Sequence, residues 1–394
     1  SLHDALPILR QYDVGTYDKS SDTLFVSDLK LSGLYENAYP NAAAPSTVTV
    51  MGAELTVLPS AQADLAAFKV GDKVTLLLTT TGQVAGAVSP DVAKSNAVGV
   101  AEVKGTTATI KLLDGILTLE GQTTYSEAAA AKLNGCLVTV SSYKRDYLTL
   151  SKVNGKGAST ALNLTTNRMG TKELSAGARF FEQVGNGRLV EIDRSDITIT
   201  SIPANKITYV GYDWAGRVDK LVLNDVTGDR YDYGIIHYQP AGYQETPGNP
   251  DGNGEYKNGE ISVTNGSFPK GMPPYVVGSV DGAKTNRMGG VAGSLDQLDG
   301  KNRMAAFMPL NEATGIRRAQ FDTDAMLLTT NSMVIPISDK VECYNKTTGD
   351  WFKPGEDGDH KAALNLALAF SDDITVYYDR SPEEGGKVRI VVVE

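Results

Sequence analysis

Alternating apolar and polar positions run through this chain in short stretches, each closed by Gly, Asn or Asp. A period of two predicts β-strands, and the closing residues predict tight turns. One arrangement recurs. An Ala-rich segment leads through Gly or Asp into a β-branched strand with Thr at its second position, then a turn and a return strand. It spans residues 60–88, 126–150 and 362–393, with a helix-less relative at 207–223. The equivalent strands start at Val74, Val138, Ile207 and Ile374. The first two intervals fit one small module each, and the third leaves room for a further degenerate unit. Repetition of one small β unit predicts a string of modules rather than one catalytic vessel.

The patterns predict a hairpin from residues 11–17 and 23–29, and a single strand over 48–58. Pro59 and Ser60 then open a short helix, with Leu65 and Phe68 on one face, ahead of a hairpin at 73–79 and 83–88. A second pass gives a hairpin across Asp114-Gly115, a helix capped by Ser126, and strands 137–142 and 147–150. Further on, 178–183 pairs with 188–192, 207–212 with 217–223, and 231–238 extends the sheet. Residues 239–259 have no periodicity and are rich in Pro, Gly and Asn, which predicts a mobile hairpin tip. Beyond about 271 the sequence is irregular and Gly-rich. It then resolves into strands at 325–330, 333–337 and 340–344, a helix at 361–370, and a closing hairpin of 374–378 with 387–393. The expected fold is mainly β (α+β): tandem small β-barrel or sandwich modules, each with hairpins and one short helix. The expected modules are 9–97, 98–170, 171–270 with the tip 239–259, and 271–394 with the C-terminal helix and hairpin.

Bulk properties narrow the partners. A chain of 394 residues suggests several domains, and 41% hydrophobic with 21% charged residues is the balance of folded protein. The net charge of −10, with no basic run, argues against nucleic acid and anionic membrane as partners. No stretch is long and apolar enough to insert in a bilayer. Cys136 and Cys343 sit in apolar strand contexts that predict buried thiols. Residues 1–8 (SLHDALPI) read as a translated sequencing-library adapter, an assembly artefact. That predicts a natural chain extending further N-terminally, with any signal or anchoring segment upstream.

No motif for catalysis rises above this background. Apart from His3, the histidines are His237, in an alternating strand, and His360, after an acidic loop, and neither has metal-ligand spacing. Calcium is a possible ligand of the loops 251–255, 296–302 and 356–359, which place carboxylates near glycine but lack the twelve-residue loop pattern. Otherwise no cofactor is implied. The segment around Ser294 lacks the glycines of a nucleophile elbow, Gly185-Asn186-Gly187 reads as a hairpin turn, and Glu383-Glu384 falls in an exposed turn. Aromatic residues are the remaining lead. Tyr209, Tyr231 and Tyr233, together with Trp214, are candidates for a glycan-stacking platform, against the plainer reading that such tyrosines cover half-buried sheet faces.

Residues 213–234 (DWAGRVDKLVLNDVTGDRYDYG), residues 33–90 and the closing EGGKVRIVV resemble the β-rich, non-anchoring region of S-layer-homology-domain-containing surface proteins of gut Clostridia. The anchoring repeat of that family, an aromatic- and Gly-containing helical unit, is absent from these residues. The resemblance implies an extracellular, cell-surface location, with other surface-layer subunits or cell-wall glycans as partners. The expected role is a non-catalytic structural or interaction region. Glycan-binding modules are the alternative. A hydrolase with its site between modules is a more distant one, which a deep cleft lined by carboxylates of raised pKa would revive.

Overall fold

The computed structural model describes residues 9–245 and 254–394, and its framework is β-strand with three α-helices among the described residues. Two compact units divide the chain. The first comprises Ser1–Phe181, Leu189–Asp193 and Ser201–Leu223, and the second Glu182–Arg188, Arg194–Thr200 and Asn224–Glu394.

Unit one opens with the hairpin Val14–Asp18 and Thr23–Ser27. In its first module Lys30–Leu34 pairs with Lys73–Leu78, which pairs with Val84–Val88. A second small sheet joins Asn37–Tyr39, Thr47–Val50 and Ala53–Thr56. A parallel bridge from Val57 to Val84 ties the two sheets together around the buried Leu31, Val50, Leu76 and Val84. The single strand expected over 48–58 is therefore a hairpin. Met51 and Gly52 take φ of 51° and 71°, the left-handed pair that a two-residue turn requires. Helix α1, Pro59–Leu65, starts on proline, whose fixed φ suits a first helical position, and buries Ala61 and Leu65.

The second module is a closed five-stranded barrel. Numbered in chain order, its strands are Val98–Lys104, Thr107–Leu112, Thr118–Thr123, Leu137–Ser141 and Tyr147–Lys152, arranged 1-2-3-5-4-1. Strands three and five close it in parallel, through Gln122–Tyr147 and Thr123–Leu148. Helix α2, Glu127–Ala131, lies between strands three and four, capped by the Ser126 side chain. This is the five-stranded Greek-key arrangement of OB-type barrels. A seven-stranded open sheet follows, from Leu162–Asn163 to Val218–Asn224. A one-turn 3-10 helix at Ala204–Lys206 stands there in place of an α-helix, as the helix-less repeat predicts.

Unit two contains a second closed barrel of the same strand order: Asp232–Gln239, Gly259–Thr264, Tyr275–Val277, Met288–Leu298 and Lys301–Pro309. It runs across the 270/271 boundary expected from the sequence. No helix announces its fourth strand, and that strand is glycine-rich for a packing reason. A Cβ on Gly290 would lie 2.5 Å from the Tyr233 ring, and one on Gly293 would lie 2.7 Å from Tyr275. Large rings crossing the backbone thus erase the alternation that marks strands elsewhere. Strands Gly242–Glu245 and Gly254–Lys257 pair as a hairpin, and the rest of the expected tip, 246–253, lies outside the described residues, as do residues 1–8.

The last module pairs Asn311–Ile316 with Ile374–Tyr378, then Val388–Val393, then Val334–Asn345 in parallel. Helix α3, His360–Phe370, is capped by Asp359 and buries Leu364, Ala367 and Leu368 against this sheet. The recurring strand starts Val74, Val138, Ile207 and Ile374 are all buried, each just after a helix or 3-10 turn or a short loop from one. Both cysteines are buried and free.

Candidate functional site

Unit one holds a cleft of about 650 Å³. Asp28 enters it from the junction between the N-terminal hairpin and strand Lys30–Leu34, and Asp114 from the turn after barrel strand Thr107–Leu112. Tyr209 and Tyr212 come from strand Ile207–Tyr212, and Lys220 from its partner strand Val218–Asn224. Local sequence fixes these positions. Asp114 accepts the Ile116 amide at 3.0 Å, folding back over Gly115 with its φ of 73°. The Asn96 side chain clamps the Asp28 carbonyl and the Lys30 amide at 2.9 and 2.8 Å, pinning the segment that carries Asp28.

Behind the cleft wall Lys220 is paired with Asp219, which does not itself line the cleft. Lys220 Nζ lies 2.5 Å from Asp219 Oδ2, while Asp219 Oδ1 is buried without a hydrogen-bond partner among the described residues. Burial raises the Asp219 carboxyl above its ordinary value, Lys220 only partly offsets this, and Asp213 and Asp28 push it further up. Asp28 and Asp114 are raised for the same first reason, offset in part at Asp28 by Lys30 and Lys220 and at Asp114 by the Ile116 amide, Lys220 and Arg179. Tyr209 is packed in the core formed with Leu113, Phe181 and Val222, and its hydroxyl is pushed up to about 12 by burial and by Asp219. Tyr212 is about half exposed at the rim.

Unit two has the opposite arrangement. Arg389 is the second residue of the strand Val388–Val393 and is 1% exposed. All five of its N–H donors are used: two reach Asp379 Oδ2, at 2.9 and 2.8 Å, and the others reach Asp229, Ser338 and the Thr227 carbonyl. Lys387 adds a second cation 2.7 Å from Asp229. Burial would raise Asp229, but Arg389 and Lys387 outweigh it and hold the carboxyl below its usual range. The guanidinium also lies 5.0 Å from the centre of the Tyr233 ring. Beside this network is a pocket of only about 100 Å³, bordered by Glu342 and His360. Glu342 is pushed up to about 7 by burial, although it accepts the Gly266 amide at 2.9 Å, and His360 Nδ1 lies 3.9 Å from its carboxylate.

The tyrosines expected to form a glycan platform are buried. Tyr231 and Tyr233 are buried in unit two with Val184, Ala292 and Ile390, their ring centres 5.8 Å apart. Tyr209 is buried in unit one, and Trp214 is half-buried in the turn between Tyr212 and Val218. The physical reason is the plainer one: these rings pack into the apolar cores, Tyr209 with Leu113, Leu189 and Val222, and Tyr231 and Tyr233 with Met308, Ile390 and Val392. Tyr209 still edges the cleft. Asp28, Asp114, Lys220 and Tyr212 were missed. Only Asp114 carried a signal, as the acid of an Asp-Gly turn. Arg389 was also missed, although a cation inside an apolar run that must be a buried strand was the visible clue.

Of the acidic loops, Asp359 is engaged as a helix cap, Asp296 accepts from Asn186 at 3.2 Å, and most of 251–255 lies outside the described residues. Among the described residues no three His, Cys, Asp or Glu side chains are grouped to hold a metal ion. No helix among them is long and apolar enough to cross a membrane. Comparison with known protein families, with curated proteins and with solved structures finds no match.

Proposed function

We propose that this chain is a non-catalytic, modular β region of a bacterial cell-surface, S-layer-like protein, acting as a spacer and docking scaffold. One observation carries the reading. Among the described residues, small β modules follow one another, two of them closed barrels of identical strand order, and the positions that recur are buried strand starts rather than reactive groups. A scaffold needs self-contained cores and tolerates variation between them, and the sequence has that character. The polar network around Arg389 also suits it, because it fastens strands without leaving room for a substrate larger than a few waters.

The reading is tested on cells that carry the protein. Brief protease treatment of intact cells releases these modules into the medium while cytosolic markers stay inside. Resistance of the modules until the cells are lysed contradicts a surface location. Separately, purified protein assayed on glycoside, ester and peptide substrates shows no turnover. Turnover abolished by a single carboxylate substitution contradicts the non-catalytic reading.

A further inference from the structure

The unit-one cleft is large enough for an organic ligand, and its wall is chemically mixed. Apolar backing comes from Leu29, Ala97 and Val98, acceptors from Asp28 and Asp114, and donors from Lys156 and Lys220. Tyr212 presents a half-exposed ring at the rim, with the Lys172 ammonium 5.6 Å from its centre.

We infer that this cleft is a binding site for a short neutral oligosaccharide. Three features favour that class. Carboxylates accept only, so they suit ligands dense in O–H donors, and a sugar offers adjacent hydroxyls to both oxygens of one carboxylate. The half-exposed Tyr212 ring suits the apolar face of a pyranose, with its hydroxyl left in water. The charges of the wall balance, Asp28 and Asp114 against Lys156 and Lys220, which favours an uncharged ligand over an ion of either sign. Desolvation of Asp28 and Asp114 has a further consequence: each hydroxyl they accept replaces a contact that water supplies poorly there. The wall is not the strand-two and strand-three face that OB-type barrels use, so the argument rests on these side chains and not on the barrel topology.

This site goes beyond the scaffold reading, and its test separates the two. The whole chain is titrated with cellotriose, chitotriose, maltotriose and mannotriose, read by calorimetry, with the same samples analysed for cleavage products. The expected result is millimolar or tighter binding of at least one trisaccharide, uncleaved. That affinity falls about tenfold or more in Asp114→Asn and in Asp28→Asn, and comparably in Tyr212→Ala, while Tyr256→Ala, an exposed ring in unit two, leaves it unchanged. Circular dichroism of each variant checks that it folds, and the conservative Tyr212→Phe retains binding. Absence of binding by all four saccharides, or binding indifferent to all three cleft substitutions, overturns the site. Cleavage of a bound saccharide keeps the site and overturns the non-catalytic scaffold.

Discussion

The chain buries charge in two ways, and the contrast separates structure from site. Around Arg389 in unit two every donor has an acceptor, Asp379 is fully buried, and Asp229 is held below its usual range despite its burial. Around Lys220 in unit one, burial prevails over pairing: Asp28, Asp114 and Asp219 are all raised, and one carboxylate oxygen has no partner. The first cluster borders a pocket of about 100 Å³, and the second opens on one of about 650 Å³. A satisfied ion network rigidifies a fold, whereas an under-compensated one beside open space is poised for a ligand.

The sharpest break of this contrast is Arg389→Met. It leaves Asp229 and Asp379 buried with their main cation gone, and the expected loss is about 3–5 kcal/mol in unit two. The two tryptophans report the units separately, because Trp214 belongs to unit one and Trp351 to unit two. Denaturant unfolding followed in a Trp214→Phe background should show the loss, and an unchanged midpoint would remove the structural role given to Arg389.

The next effect concerns Glu342. Its carboxyl rises from an ordinary 4.5 to about 7, so the folded state holds a proton that the unfolded state has released between those values. Its contribution is complete below about 4.5 and is lost as pH climbs through about 7, a change on the order of 3 kcal/mol. Glu342→Gln should flatten that slope and leave unit two more stable above neutral pH. A slope that survives the substitution assigns the titration to another group.

The smallest expected change is in unit one. Asp114→Asn removes a charge that burial disfavours, so its stability should alter by no more than about 1 kcal/mol, upward if at all. The sign of the pH dependence follows. With Asp28, Asp114 and Asp219 raised, unit one loses stability as pH rises through the carboxylate range, while the lowered Asp229 lets its share of unit-two stability go only in stronger acid. Destabilisation by Asp114→Asn as large as that by Arg389→Met would erase the distinction between the clusters.

The strands were legible where alternation and turn chemistry agreed. Val74, Val138, Ile207 and Ile374 could be aligned from sequence because each begins a buried strand behind a helix or short turn. The barrel at 232–309 was not legible as a unit, since the rings of Tyr233 and Tyr275 demand glycine where alternation would otherwise show. The Met51-Gly52 turn was hidden because methionine rarely adopts a positive φ and so gives no turn signal. The cleft left less trace still. Asp28, Asp114 and Lys220 lie far apart in sequence and are ordinary surface residue types, so only the fold brings them to one cavity.

Titration of the aspartate carboxyls by carbon NMR in the intact chain tests the central contrast most directly. The account predicts Asp114 and Asp28 above the ordinary carboxylate value and Asp229 below it, in one sample at one ionic strength. Asp114 titrating at or below that value, with Asp229 above it, contradicts the account.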